Sequence, residues 1–147
     1  MGKLIIASLV FIGALGALGV SAAEVEIKMK NNGKDGMMVF EPGFVKIQPG
    51  DTIVFVPTDK THNSASYVLP EGAKPWKGKT DETFKVTLDK EGVYIHKCDP
   101  HIPMAMAGVI QVGNPVNLTQ AKAKATELSK MFMMHKDRLS KYLEQVK

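Results

Sequence analysis

The sequence predicts a mainly β fold, a β-sandwich with α-helices packed on it at the C-terminal end. Two observations carry the sandwich: short strand-like runs recur up to Val112, and clusters of Gly, Pro, Asn and Asp separate them, as turns require. A third carries the helices: from Leu118 onward the apolar spacing changes to three and four, the period of a helix with one buried face.

The first 23 residues are expected to lie outside that fold. Lys3 gives a weak positive start, Leu4 to Val20 is apolar apart from Ser8 and three glycines, and Ser21-Ala22-Ala23 supplies small residues for cleavage. That is the pattern of a secretory signal peptide rather than a membrane anchor. No second apolar run follows, so no membrane attachment is expected after cleavage. Cutting there removes Lys3 alone among the charged residues and leaves a net charge of +3. So small an excess does not point to nucleic acid, but it suits an acidic protein partner.

The elements follow in order. Glu24 to Lys30 alternates polar and apolar without a fault, a strand with one wet face. Asn31 to Gly36 reads as a turn-rich loop, and Met37 to Phe40 and Phe44 to Ile47 as short strands around Pro42-Gly43. Pro49-Gly50-Asp51 turns into the strand Thr52 to Val56, which Pro57 ends. Thr58 to Ser66 reads as a polar loop, and Pro70 to Gly78 as irregular chain with Trp76 inside it. Thr83 to Leu88 and Val93 to Lys97 are strands around the turn Asp89 to Gly92, and Ala107 to Val112 closes the series. Residues 24–113 therefore form the sandwich and 114–147 a helical segment packed on it. Leu118, Ala121, Ala125, Leu128, Phe132, His135, Leu139, Tyr142 and Val146 form the stripe of one helix or two.

Chemistry concentrates in Cys98-Asp99-Pro100-His101, with Met106 five residues after the histidine and His62-Asn63 far upstream. Two histidines, one cysteine and a weak axial methionine are the ligand set of a blue-copper electron-transfer site. Cys98 is the only cysteine, so no internal disulfide can occupy it. Zinc also takes Cys and His, but a thioether is a poor zinc ligand, and softness favours copper. With all four places filled by protein, no position is open to a substrate, so a carrier is expected and not an enzyme.

The chain resembles the pseudoazurins, small periplasmic cupredoxins. The matching stretches include Gly33-Lys34-Asp35-Gly36, Met38 to Pro42, Pro57-Thr58-Asp59-Lys60, His62-Asn63, Gly92-Val93-Tyr94, Lys97-Cys98, Pro100-His101, Met104, Met106 and Gly108-Val109. The resemblance implies a Greek-key sandwich of about eight strands, two C-terminal helices, a monomer and one copper ion per chain. It assigns the ligands to His62, Cys98, His101 and Met106; Met104, two residues earlier, would suit the shorter loop of the amicyanins. It also implies that the Asn63 backbone N–H donates to the Cys98 sulfur and that the Asn63 side chain ties the two ligand segments. Pro100, lacking an N–H, adds no second donor. Met38 either lies near the exposed histidine or simply fills the core.

The chain departs from the pseudoazurin pattern at Ile102, Pro103 and Ala105, and no proline follows Pro115 to break the helical segment. His96 points to the same side as Cys98 by strand alternation. It is expected to be a core histidine with a hydrogen-bond partner.

Electrons are expected to pass through the edge of His101, whose neighbours Ile102 and Met104 supply an apolar docking patch. Lys34, Lys60, Lys77, Lys79 and Lys97 are expected to ring it and to steer an acidic partner. By resemblance that partner is a copper nitrite reductase, with nitrous oxide reductase or an amine dehydrogenase as alternatives. A rival function is copper storage or delivery. Met131, Met133, Met134 and His135 motivate it, although the helical stripe explains most of that cluster as packing.

Overall fold

In a computed structural model the structure describes residues 21–147; the predicted signal peptide, residues 1–23, lies outside them apart from its last three residues. Eight strands form two four-stranded sheets, a Greek-key sandwich. The first sheet holds β1 (Glu24–Gly33), β2 (Gly36–Glu41), β4 (Thr52–Pro57) and β6 (Phe84–Thr87), in the order β2-β1-β4-β6. The second holds β3 (Phe44–Ile47), β5 (Ala65–Val68), β7 (Gly92–Lys97) and β8 (Ala107–Val112), in the order β3-β8-β7-β5. β1 runs parallel to β4 and β3 parallel to β8; the other pairs are antiparallel.

Two apolar layers explain the strand sequences. Between the sheets, Ile27, Met29, Phe40, Phe55, Tyr94 and Ile110 pack around Cys98 and Met106. On the outer face of the second sheet, Val93, Ile95 and Val109 meet Ala121, Ala125, Leu128 and Phe132. β7 and β8 are thus covered on both faces. They read as nearly unbroken buried runs and not as alternation. The first sheet keeps one wet face, and β1 alternates accordingly. Gln111 is the polar exception inside β8. Its amide nitrogen donates to the Gly113 and Lys147 carbonyls at 2.9 and 2.5 Å, and its oxygen accepts from the Lys147 N–H at 3.1 Å, which pins the C-terminal residue.

Two expectations need correction, and one left open is decided. β1 continues through Asn31 and Asn32 to Gly33, because the hairpin pairing Asn32↔Met37 and Gly33↔Gly36 extends a strand that propensity would stop. β5 lies partly in the stretch read as loop; its register shifts between Ser66 and Val68 against β7, so it carries no clean period of two. The stripe, read as one helix or two, is two: α1 spans Leu118–Ser129 and α2 spans Arg138–Leu143. Between them the Met133 and Met134 N–H groups donate to the Pro103 carbonyl at 2.8 and 3.4 Å instead of continuing a helix. His135, counted on the stripe, is exposed with φ 47°. No described helix is long and apolar enough to cross a membrane.

Candidate metal centre

β7 delivers Cys98 at its end, and Pro100 opens a 3₁₀ segment, Asp99–Met104, that carries His101. Ala105 takes the left-handed conformation that turns the chain back into β8. The loop then closes on itself. The Cys98 N–H donates to the Met106 carbonyl at 2.9 Å, and the Met106 N–H to the His101 carbonyl at 3.2 Å. His62 arrives from the segment between β4 and β5. Asp81 holds that segment: its carboxylate accepts from the Thr61 and His62 N–H groups at 2.7 and 3.3 Å, and its own N–H donates to the His62 carbonyl at 2.9 Å.

Three donor atoms converge there, all within 4.8 Å of one another. The two Nδ1 atoms of His62 and His101 lie 3.2 Å apart, and the Cys98 Sγ lies 3.8 and 3.4 Å from them. The Asn31 Oδ1 stands 2.9 Å from the His62 Nε2. An amide oxygen only accepts, so Nε2 carries the proton and the bare Nδ1 lone pair faces the other donors. Burial pushes the pKa of both histidines below the ordinary value, helped at His62 by the neighbouring His101, and keeps the rings neutral at neutral pH. Met106 is fully buried in the core cluster with Cys98, whereas Met104 is half-exposed. Two imidazole nitrogens and a thiol converge here, with the Met106 thioether buried in the same core cluster, and this donor set fits a type 1 copper ion.

Burial pushes the Cys98 thiol up to about 11, against the pull of the Asn63 and His101 backbone N–H groups. The thiol is therefore protonated at pH 7 before a metal arrives, and copper must displace that proton. Since the histidines are already neutral, loading at pH 7 releases about one proton per copper. Calorimetry in buffers of different ionisation enthalpy measures this number; a value near three would mean protonated imidazoles.

The Asn63 side chain bridges the two ligand segments. Its oxygen accepts from the Asp99 N–H at 2.9 Å, and its amide donates to the Asp99 carboxylate at 3.0 Å and the Gly78 carbonyl at 3.4 Å. Burial opposes ionisation of Asp99, yet Lys97, Asn63 and Lys77 together hold its pKa at about 2. Lys97 and Lys77 both pair with Asp99, the latter at 3.2 Å, and Lys79 stands 3.7 Å from Glu82. Lys34 and Lys60 are exposed and have no carboxylate partner among the described residues. Half-exposed His101, Ile102 and Met104 lie with exposed Pro100 and Pro103 on one surface. Half-buried Met38 packs against the cluster that contains Cys98 and Met106.

His96 is fully buried, with its Nδ1 3.3 Å from the Ser64 Oγ and its ring edge-on to Phe40 at 4.4 Å. Burial pushes its pKa down to about 3. A side chain at Gly108 would collide with this ring, so the glycine makes room for it. The Nε2 has no hydrogen-bond partner among the described residues.

Two supporting residues escape sequence reasoning. Asn31 looked like turn chemistry, and only strand pairing places it on His62; its N–H donates to Asp59 at 2.6 Å. Arg138, on α2, is buried and donates to five backbone carbonyls: Met38, Met104 and Ala105 from Nη1, and Asp35 and Met37 from Nη2, at 2.8 to 3.2 Å. It ties the ligand loop to β2 from behind. A signal was present, for this is the chain's one arginine among many lysines, and arginine is the cation that can serve several acceptors at once.

Residues 27–113 match the family model of copper binding proteins, plastocyanin/azurin family. The chain is 44% identical to the pseudoazurin of Paracoccus pantotrophus over 136 residues, covering 90% of each. It is 40% identical to that of Methylorubrum extorquens over 138 residues, covering 92% of this chain and 93% of the other. Its structure resembles the crystal structure of native pseudoazurin from Hyphomicrobium denitrificans with a TM-score of 0.72 and 41% identity, over 84% of this chain and 98% of that one.

Proposed function

The chain belongs to the plastocyanin/azurin family of copper-binding proteins, as one of the pseudoazurins, and we propose that it carries electrons in the periplasm to a copper nitrite reductase. It is a copper electron carrier and not an enzyme. On this reading residues 1–23 are removed on export, residues 24–113 hold the metal, and residues 114–147 brace the sandwich.

The observation that carries the reading is the convergence of the His62 and His101 Nδ1 atoms on the Cys98 Sγ. We assign the ligands to these three residues and to Met106. When bound, the copper supplies a one-electron couple between Cu(I) and Cu(II). The protein's part is to hold the donors still. Asn31 fixes the His62 ring, Asn63 locks the two segments together, and the backbone bonds between Cys98, His101 and Met106 stiffen the loop. Donors that cannot rearrange keep the reorganisation on electron transfer small.

His101 is the ligand nearest solvent, and Pro100, Ile102, Pro103 and Met104 surround it with apolar surface. That patch supports docking of a partner with a matching apolar face. Exposed Lys34 and Lys60 favour an acidic one. Lys77, Lys79 and Lys97 contribute less, since Asp99 and Glu82 offset two of their three charges within the chain.

Stopped-flow mixing of the reduced carrier with purified copper nitrite reductase tests the partner. Oxidation is expected to be fast at low salt and to slow by about tenfold or more when the charges are screened. No oxidation, with rapid exchange with nitrous oxide reductase or an amine dehydrogenase instead, would move the assignment to those partners. A rate indifferent to salt would remove the steering role of the lysines.

A further inference from the structure

The segment Met131-Phe132-Met133-Met134-His135 joins α1 to α2. As sequence it continues the helical stripe, and that reading makes the methionines packing residues. The structure contradicts it. Met131 is 58% exposed, Met133 82% and Met134 38%, and His135 is exposed as well; of the five residues only Phe132 is buried, at 2%. Three large apolar side chains in four residues are thus exposed to water, Met131 and Met133 over more than half of their surface, and burial does not account for the group.

The segment is nevertheless fixed. Phe132 anchors it in the outer apolar layer beside Leu128 and Leu139. The Met133 and Met134 N–H groups both bond the Pro103 carbonyl, which lies between His101 and Met106 on the ligand loop. The thioethers therefore stand on a held backbone at the flank of the copper loop. The positive φ of His135 turns the chain at their end.

We propose that Met131, Met133, Met134 and His135 form a second, surface site for a soft monovalent metal ion, Cu(I). Thioethers are soft neutral ligands that select Cu(I) over hard or borderline cations, and imidazole suits copper. Each methionine has three rotatable bonds, so three of them within four residues can converge on one ion. The ligand set is uncharged, while Lys130 and Lys136 flank it with exposed positive charge. A monovalent ion meets about half the repulsion there that a divalent one would. The site is independent of the buried centre and would stand even if the partner proposed above were wrong. It gives Cu(I) a resting place on the surface, next to the loop that shields Cys98.

The test starts from copper-loaded, reduced protein under anaerobic conditions. It is titrated with Cu(I) against a competing chelator, and in parallel with Ag(I) as a redox-inert probe. One further equivalent of either ion is expected to bind, with the methyl resonances of Met131, Met133 and Met134 shifting together. The triple variant Met131→Leu, Met133→Leu, Met134→Leu keeps the apolar area. It is expected to retain the buried copper and its visible band and to lose the second equivalent. His135→Ala alone is expected to weaken the second site by about tenfold. Absence of a second equivalent in the parent protein, or its survival in the triple variant, overturns the proposal. So does a parent protein that binds no second ion but whose electron transfer slows on Met133→Lys, because the segment is then a docking surface.

Discussion

Cys98→Ala abolishes the intense visible band of the copper-loaded protein. The band arises from charge transfer between a thiolate and Cu(II), and Cys98 is the chain's one sulfur of that kind. The fold should survive the change. Cys98 is buried between the sheets, and losing one sulfur atom there costs about 1 kcal/mol. The variant keeps His62 and His101 with their Nδ1 atoms 3.2 Å apart, so it still binds Cu(II), but weakly and without colour. Visible absorption after copper loading decides the matter, and retained colour would defeat the ligand assignment. The same assay separates the two methionines. Met106→Ala is expected to alter the spectrum and the reduction potential, because Met106 is enclosed with Cys98. Met104→Ala is expected to leave both nearly unchanged, because Met104 is half-exposed and outside the buried cluster that holds Cys98. The reverse result would mean that the shorter loop geometry holds.

Arg138→Met destabilises the protein by about 3 kcal/mol or more. The side chain is not a surface charge. It is buried and serves five carbonyls on two separate segments, Asp35 to Met38 and Met104 to Ala105. Methionine fills most of the volume but donates nothing, so five carbonyls lose this partner, the Ala105 one fully buried and the other four part-buried, and a buried acceptor left unpaired costs about 1 to 3 kcal/mol. Some of this is recovered; the Ala105 carbonyl also accepts from the Ala107 N–H at 2.9 Å. For a domain of this size the fall in Tm is roughly 10 °C. Arg138→Lys keeps the charge with fewer, undirected donors and should fall between. A second readout separates positioning from mere stability. At temperatures where both variants are folded, slack in the Met104–Ala105 segment should shift the reduction potential and broaden the spectrum of the copper form. An unchanged potential and spectrum in folded Arg138→Met would leave the arginine a purely structural role.

The ligand set was legible because most of it is local. Cys98, His101 and Met106 lie within one short loop, and the chemistry of their side chains names a metal before any coordinate is known. The Greek-key sandwich and its paired helices were legible through the resemblance, and the first wet-faced strand through its alternation. β5 was not, because its irregular register against β7 erases the period of two. The position of the break between the helices was not, because Pro103 accepts the N–H groups that a continuing helix would have used. Neither was the exposure of the methionines, which follows from that break. Asn31 and Arg138 were passed over for the same reason: each acts on a residue distant in the chain, His62 or the Met104–Ala105 turn.

By itself the sequence determined which atoms can bind the ion, that the domain is a sandwich, and that apolar surface follows the histidine of the loop. Those properties belong to side-chain chemistry and to short-range periodicity, which any window of the chain already contains. Only the tertiary structure decided which groups hold the donors in place, which lysines keep an unmatched charge, and which methionines meet water. Each of these depends on what a remote segment brings to the same point in space, and a hydrogen bond of 3 Å leaves no trace in the spacing of residues along the chain.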